Sequence, residues 1–221
     1  MTARKKSEVQ DAEQVQEQAT AKIQDTPEVD FKKIIIDALT KTKREGVEDL
    51  VTYMDDAGFF TAPASGGNHS NAEGGLAQHS VNVMTTMEKM GVALFGGAEY
   101  NKIQDSVVIA ALLHDLGKCG DYGKKMYVEN ILKSGKQSEA KPYKRNPELL
   151  PIDHATRSIK LATLFIDLTE EEEFAIRYHD GLYETANYGV KGHETKLYML
   201  LHWADMWSSR VLEGDTGEGE D

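Results

Sequence analysis

Between Val107 and Lys118 the chain reads VVIAALLHDLGK, seven apolar residues running straight into a histidine and an aspartate. Helical periodicity sets His114 one heptad after Val107 and Asp115 one heptad after Val108, so both polar side chains are predicted to point into the core. The same period recurs on either side. Phe31 to Lys43 and Val47 to Ala57 read as two amphipathic helices parted by Gly46, and Leu76 to Met90, Asp153 to Ile166, Thr169 to Asp180 and Thr195 to Leu212 read as further helices. The Thr169 helix opens with a capping box, Glu172 standing three residues on, and stops at Gly181. Two segments break the pattern. Gly58 to Gly75 is GFFTAPASGGNHSNAEGG, too rich in Gly, Pro, Asn and Ser for regular structure. Gly120 to Pro147 lacks a helical period, and Met126 to Leu132 is expected to pair with the region around Tyr143 as a small hairpin turning near Ser134, Gly135 and Lys136. The fold class predicted is all-α, a helical bundle with a small β-hairpin insertion.

The inward faces carry more polar groups than a core needs. His79 lies on the face of Leu76 and Val83, His154 shares a face with Ser158, Leu161 and Phe165, and His179 follows Ala175 and Ile176 by four and three residues. Asp205 continues the row of Leu197 and Leu201. His202, three residues earlier, is expected to support a ligand, and Trp203 and Trp207 to pack. A single inward histidine is ordinarily a hydrogen-bonded core residue. Four of them together with Asp115 and Asp205, drawn from five helices, would each need separate compensation, whereas one or two divalent ions would compensate all at once. The alternative is a buried hydrogen-bond network. His69, in the middle of the Gly-rich loop, reads either as a solvated residue or as a group at the mouth of a site.

Length and charge narrow the picture further. The 221 residues are enough for one sizeable core, expected over 31–212, with an extension over 1–30 and an acidic tail over 213–221. The extension reads as a solvated tail or as a partner-binding helix through which a homo-oligomer would form. A net charge of -12 argues against a long nucleic-acid footprint, while a small phosphate ligand stays compatible because a metal supplies local positive charge. The most basic stretch is the expected hairpin, with Lys124, Lys125, Lys133, Lys136 and Lys141 followed by Lys144 and Arg145, which reads as solvated surface or, beside an active site, as a phosphate-steering rim. Cys119 is the only cysteine, which excludes an internal disulfide. With no apolar run able to span a bilayer and no signal-peptide pattern at the start, the expected location is cytoplasmic, away from membranes.

The order His79, His114-Asp115 and Asp205, in the wordings GGLAQHS and ALLHDLGK followed by a helix carrying Asp205, resembles the HD-domain metal-dependent phosphohydrolase superfamily, whose H…HD…D signature sits on an all-helical fold. The likeness covers roughly Phe31 to Leu212. More narrowly, FFTAPAS and NHSNAEGGLAQHS are similar to the HD domain of bacterial three-prime-end exoribonucleases and to small stand-alone HD hydrolases of bacteria and phages. The resemblance implies that His79, His114, Asp115 and Asp205 hold one divalent ion and that Asp115, His154 and His179 hold a second, with Mn, Fe, Co, Ni and Zn all suited to such ligands. The chain departs from binuclear relatives at one point, carrying His179-Asp180 where they often show a His-His pair.

The activity so implied is hydrolysis of a phosphate ester of a nucleotide or short oligonucleotide by metal-activated water. Asp115 would be central to it, Lys118 and His69 would act on the phosphate or the leaving oxygen, and Arg157 would be a further substrate contact. Two other readings stay open. One is a deoxynucleoside triphosphate triphosphohydrolase, whose members frequently carry a histidine shortly after the HD pair, where Lys118 stands here. The other is a non-catalytic module that uses the metal only to hold its helices together.

Overall fold

Two amphipathic helices, α1 (Phe31–Lys41) and α2 (Val47–Asp56), lead into the bundle of the computed structural model, which describes residues 29–67 and 69–214. The extension expected over 1–30 lies almost wholly outside the described residues, as does the acidic tail beyond Gly214. After the Gly-rich loop come α3 (Gly75–Phe95), α4 (Gly97–Tyr100) and α5 (Gln104–Leu113), followed by a 3-10 turn over Leu116–Cys119. A two-stranded ribbon, β1 (Tyr127–Glu129) and β2 (Tyr143–Arg145), precedes α6 (His154–Ala162), α7 (Glu170–Tyr178) and α8 (Lys196–Trp207), and a π-turn over Ser208–Leu212 ends the described chain. The all-helical class with one small hairpin is thus the observed architecture.

The bundle centre forms where α3 packs against α5 and α8, and where α7 packs against both α5 and α8. Leu76, Val83 and Met87 of α3, Ile109, Leu112 and Leu113 of α5, and Leu201 of α8 are fully buried there. Burying each such side chain is worth about 1.5–3 kcal/mol, so this packing fixes where the polar residues on the same faces must go. The capping box of α7 forms as expected, and its Glu172 is also fully buried. Arg44, in the α1–α2 connection, donates to both Glu172 carboxylate oxygens at 2.7 and 2.8 Å, tying the start of α7 to the first helix pair.

Two helices end otherwise than their period suggests. The apolar run does not continue as helix through Lys118: α5 stops at Leu113, His114 is its C-cap, and Asp115 leaves helical geometry at φ -106° and ψ 10°. At the other end, the regular helix of α8 gives way at Trp207 to a π-turn that reaches the expected end at Leu212. Trp203 and Trp207, expected to pack, are 40% and 53% exposed. Each stands two residues from Asp205, and a helix that turns Asp205 inward turns those positions outward.

The hairpin is antiparallel, with Tyr127 opposite Arg145 and Glu129 opposite Tyr143. Its turn closes where Leu132 donates to the Lys136 carbonyl at 2.8 Å, with Gly135 at φ 80°. Among the described residues no helix is long and apolar enough to cross a membrane.

Candidate metal centre

Helix ends build the centre. At the end of α5 the Ala111 carbonyl, left without a backbone partner by the stop at Leu113, accepts a hydrogen bond of 2.8 Å from His114 Nδ1. A carbonyl only accepts, so Nδ1 carries the proton and Nε2 presents its lone pair to the interior. The end of α7 repeats the device: His179 is the C-cap, and its Nδ1 donates to the Ile176 carbonyl at 2.8 Å. His202 Nδ1 in turn donates to the His179 carbonyl at 2.7 Å, and Gly181, at φ 58°, leaves room for the His202 ring that a Cβ would overlap.

His79, on the buried face of α3, is oriented from the far end of the chain. Its Nδ1 lies 3.0 and 3.1 Å from the two carboxylate oxygens of Glu213, which also accept from Asn82 Nδ2 at 2.9 Å and Ser70 Oγ at 2.7 Å. Here too Nε2 points to the middle. His154 arrives as the first residue of α6. Gly117 makes that approach feasible, since a Cβ at 117 would overlap the His154 carbonyl oxygen, and the Gly117 N–H donates to Ser158 Oγ at 2.8 Å.

Asp115 stands between the rings. Its Oδ2 is 3.6 Å from His79 Nε2, 3.4 Å from His114 Nε2 and 2.6 Å from Lys118 Nζ. Its Oδ1 is 3.3 Å from His154 Nε2 and 3.7 Å from His179 Nε2. Asp205 Oδ1 lies 3.1 Å from His79 Nε2, and Asp180 Oδ2 lies 3.4 Å from His154 Nε2. The facing Nε2 atoms of His154 and His179 are 3.1 Å apart.

The charges are strongly coupled. Burial alone would raise the Asp115 pKa, but Lys118 and His114 hold it well below the usual carboxylate range. Burial opposes a proton on His79, yet hydrogen bonds to Asp205 and Glu213 outweigh it and lift the pKa to about 9. Against the same burial, His79 holds Asp205 well below its ordinary value and Glu213 at about 2. Burial and the Lys118 charge push His154 down to about 4, while burial and the neighbouring His79 do the same to His69.

The donor set fits a divalent metal. His114 Nε2 and Asp115 Oδ1 are buried without a hydrogen-bond partner, a costly state unless something else engages them. Ligand atoms held at about 2.0–2.2 Å around one ion stand roughly 3–3.5 Å apart, close to the spacings seen here. Five triads have ligand atoms within 4.8 Å of one another: His79, His114 and Asp115; Asp115, His154 and His179; His114, His179 and Asp205; and, toward the edges, His69, His79 and Glu213, and Asp153, His154 and Asp180. Imidazole nitrogens mixed with carboxylate oxygens suit Mn, Fe, Co, Ni or Zn.

Of the residues singled out from sequence, His79, His114, Asp115, Lys118, His154, His179 and Asp205 come together. His69 joins them at the rim, its ring centre 5.0 Å from that of His79 and its Nε2 buried without a partner. Arg157 does not. It is buried, and its guanidinium donates to Asp121 Oδ2 at 2.9 Å and to the Leu150 carbonyl at 3.1 Å, so the expected substrate contact gives way to a structural ion pair. Glu213 was assigned to the acidic tail, and the one signal for it is indirect, because an inward His79 with Nε2 free must place Nδ1 against an acceptor.

No curated protein and no solved structure matches the chain, so the narrower likeness to exoribonuclease HD domains rests on its wording alone. The model of the HD domain family matches residues 76–205, which runs from the start of α3 to Asp205 and takes in both halves of the cluster. That match spans more than half of the chain, and with the buried His and Asp groups gathered inside it, the protein belongs to the HD domain family of metal-dependent hydrolases.

Proposed function

We propose that this chain hydrolyses a phosphate ester of a nucleotide or short oligonucleotide, using two divalent ions held by His79, His114, Asp115 and Asp205 and by Asp115, His154 and His179. One observation carries the reading: the two oxygens of Asp115 face two different histidine pairs, Oδ2 toward His79 and His114 and Oδ1 toward His154 and His179. A carboxylate so placed suits a bridge between two ions. When bound, such ions lower the pKa of a water and neutralise charge on phosphate oxygens.

The remaining work falls to this chain's own groups. Lys118, kept charged by Asp115, fixes that carboxylate through its 2.6 Å contact and offers its remaining N–H donors to a phosphate oxygen. His69, pushed to about 4, is neutral near pH 7, which suits it to hydrogen-bonding a phosphate or leaving-group oxygen. A cavity of about 560 Å³ opens beside Lys118, a size that fits a small substrate better than a long strand.

The test is metal content per chain by elemental mass spectrometry, together with turnover of nucleoside mono- and triphosphates and phosphodiesters. About two ions and hydrolysis abolished in a folded Asp115→Asn variant are expected. Release of triphosphate with a single ion per chain would move the assignment to a triphosphohydrolase, and absence of hydrolysis across the panel would move it to a non-catalytic module.

A further inference from the structure

The cavity beside Lys118 is made by the two segments that periodicity left unassigned. Thr61, Ala62 and Pro63 of the Gly-rich loop line one side, and Met126 to Glu129 of the hairpin, with Tyr143, line the other. The segments are joined through glycines: Tyr143 N–H donates to the Gly66 carbonyl at 3.1 Å, and a Cβ at Gly67 would come within 2.9 Å of Lys141 Cγ. The enclosure therefore depends on backbone approaching backbone, and any larger side chain at Gly67 would press on the hairpin.

The hairpin contributes residues of both its faces to the cavity, most of them from one. Residues opposite one another in an antiparallel pair share a face, so Tyr127, Glu129, Tyr143 and Arg145 lie on one face and Val128 and Lys144 on the other. Tyr127, Glu129 and Tyr143 of that first face line the cavity, together with Val128 from the other. The Tyr127 phenol lies within electrostatic reach of the Lys118 ammonium, which itself touches Asp115. The cavity is connected to the metal centre through Lys118 alone, and its lining includes Tyr127, Tyr143 and Glu129, with Glu73 on the loop side.

We infer that this cavity is a nucleoside subsite: it takes the base and sugar of a nucleoside monophosphate, with the ring lying along Tyr127 and Tyr143, sugar or amino donors meeting Glu129 and Glu73, and the phosphate directed past Lys118. The inference rests on the phosphohydrolase reading for the direction of the phosphate and on the cavity alone for the nucleoside. Two tyrosines in the lining favour a flat ring, since bases stack on aromatic side chains. The carboxylates favour a partner rich in N–H and O–H donors, and the Lys-rich rim supplies attraction for the phosphate.

Two readouts on the Mn²⁺-supplemented full chain test it. The first is direct binding of adenosine, which has no phosphate to hydrolyse, by titration calorimetry. The second is the ratio of kcat/KM for AMP to that for glycerol 2-phosphate. Expected are measurable adenosine binding that weakens at least tenfold in Tyr127→Ala and Tyr143→Ala, and an AMP preference that falls by a similar factor in both. Because a hairpin variant can misfold, adenosine, cytidine and guanosine binding to the parent protein stands as an independent check. If none of them binds, the subsite is overturned even where phosphate esters are hydrolysed. Nucleoside binding lost in the tyrosine variants, with no ester hydrolysed, would retain the subsite and remove the phosphohydrolase reading.

Glu213 carries a second inference from different contacts. Its carboxylate is 2% exposed and engages His79 and Asn82 on α3 and Ser70 on the Gly-rich loop, where Ser70 holds φ 41° without being glycine. We infer that Glu213 is a positioning residue, holding His79 with Nδ1 protonated and Nε2 inward and anchoring the loop that bears His69. Zinc affinity by chelator competition and the ¹⁵N shifts of the His79 ring in zinc-loaded protein provide the test. Expected are an affinity about 10–100-fold weaker in Glu213→Ala, most of it restored in Glu213→Gln, whose amide oxygen still accepts from Nδ1, and ring shifts displaced in the Ala variant alone. Parental affinity in Glu213→Ala, or ring shifts that do not move, would overturn it.

Discussion

The two sides of the cluster are built from the same atoms and behave differently. On one side His79 is fully buried, backed by the Glu213 carboxylate at 3.0 Å and faced by Asp205 at 3.1 Å, and it holds a proton up to about pH 9. On the other, His154 is 18% exposed and Asp180 is 34% exposed. Asp153 Oδ2, the carboxylate nearest the outer nitrogen of His154, is 3.9 Å away, beyond hydrogen-bond reach, and His154 gives up its proton near pH 4. The difference teaches that position within the bundle, more than ligand type, decides whether a half-site is ready before an ion arrives. The His79 side already stores the negative charge that a cation needs, with a proton in its place. On the other side the His154 ring is neutral and partly open to solvent.

The strongest blow to this asymmetry removes what the sides share. Asp115→Asn takes the carboxylate from both and leaves the Lys118 ammonium without its partner, and turnover of phosphate esters is expected to fall roughly a thousandfold or more with loss of both ions. An active, metal-replete variant would dismiss the bridge. Next come the histidines one side at a time. His154→Ala is expected to keep one ion per chain while His79→Ala keeps less, as read by elemental mass spectrometry; equal losses would mean that the halves do not differ.

The pH dependence of the chelator-stripped protein sharpens the same contrast. The folded pKa of His79, about 9, lies above the ordinary 6.5, so its stabilisation is complete below about 6.5 and disappears as pH rises through 9. His154 has the opposite sign. With a folded pKa of about 4, protonation of the unfolded chain drains stability as pH falls from about 6.5 toward 4. Melting temperature against pH should therefore fall on both flanks, with His79→Gln flattening the alkaline limb and His154→Gln the acid one. The smallest effect is expected from Asp180→Asn, about tenfold weaker binding of the more easily removed ion, seen by chelator titration. No change there would leave Asp180 outside the coordination.

Much of the arrangement is legible in the sequence itself. A 3.6-residue period is enough to say that His79, His114, His154, His179 and Asp205 face inward, and the scarcity of ways to bury them says that they meet. The hairpin and the capping box of α7 were equally local and equally readable. Arg157 was misjudged because its spacing from His154 reports only a helix face, whereas its partner, Asp121, comes from a loop with no period at all. Glu213 escaped for a related reason: a π-turn carries it back to α3, and no local pattern announces that path. The exposure of Trp203 and Trp207 was implicit in the inward setting of Asp205, two positions away from each.

The capping of α5 and α7 by their own histidines makes helix length a chemical variable. One further residue of regular helix beyond His114 would hand the Ala111 carbonyl to a backbone N–H, free the imidazole to move its proton to the other nitrogen, and turn a lone pair into a donor. An insertion or a more helix-prone sequence at that junction would then silence a ligand without altering it. Engineering of this bundle toward greater helicity would accordingly exchange metal affinity for stability, one hydrogen bond at a time.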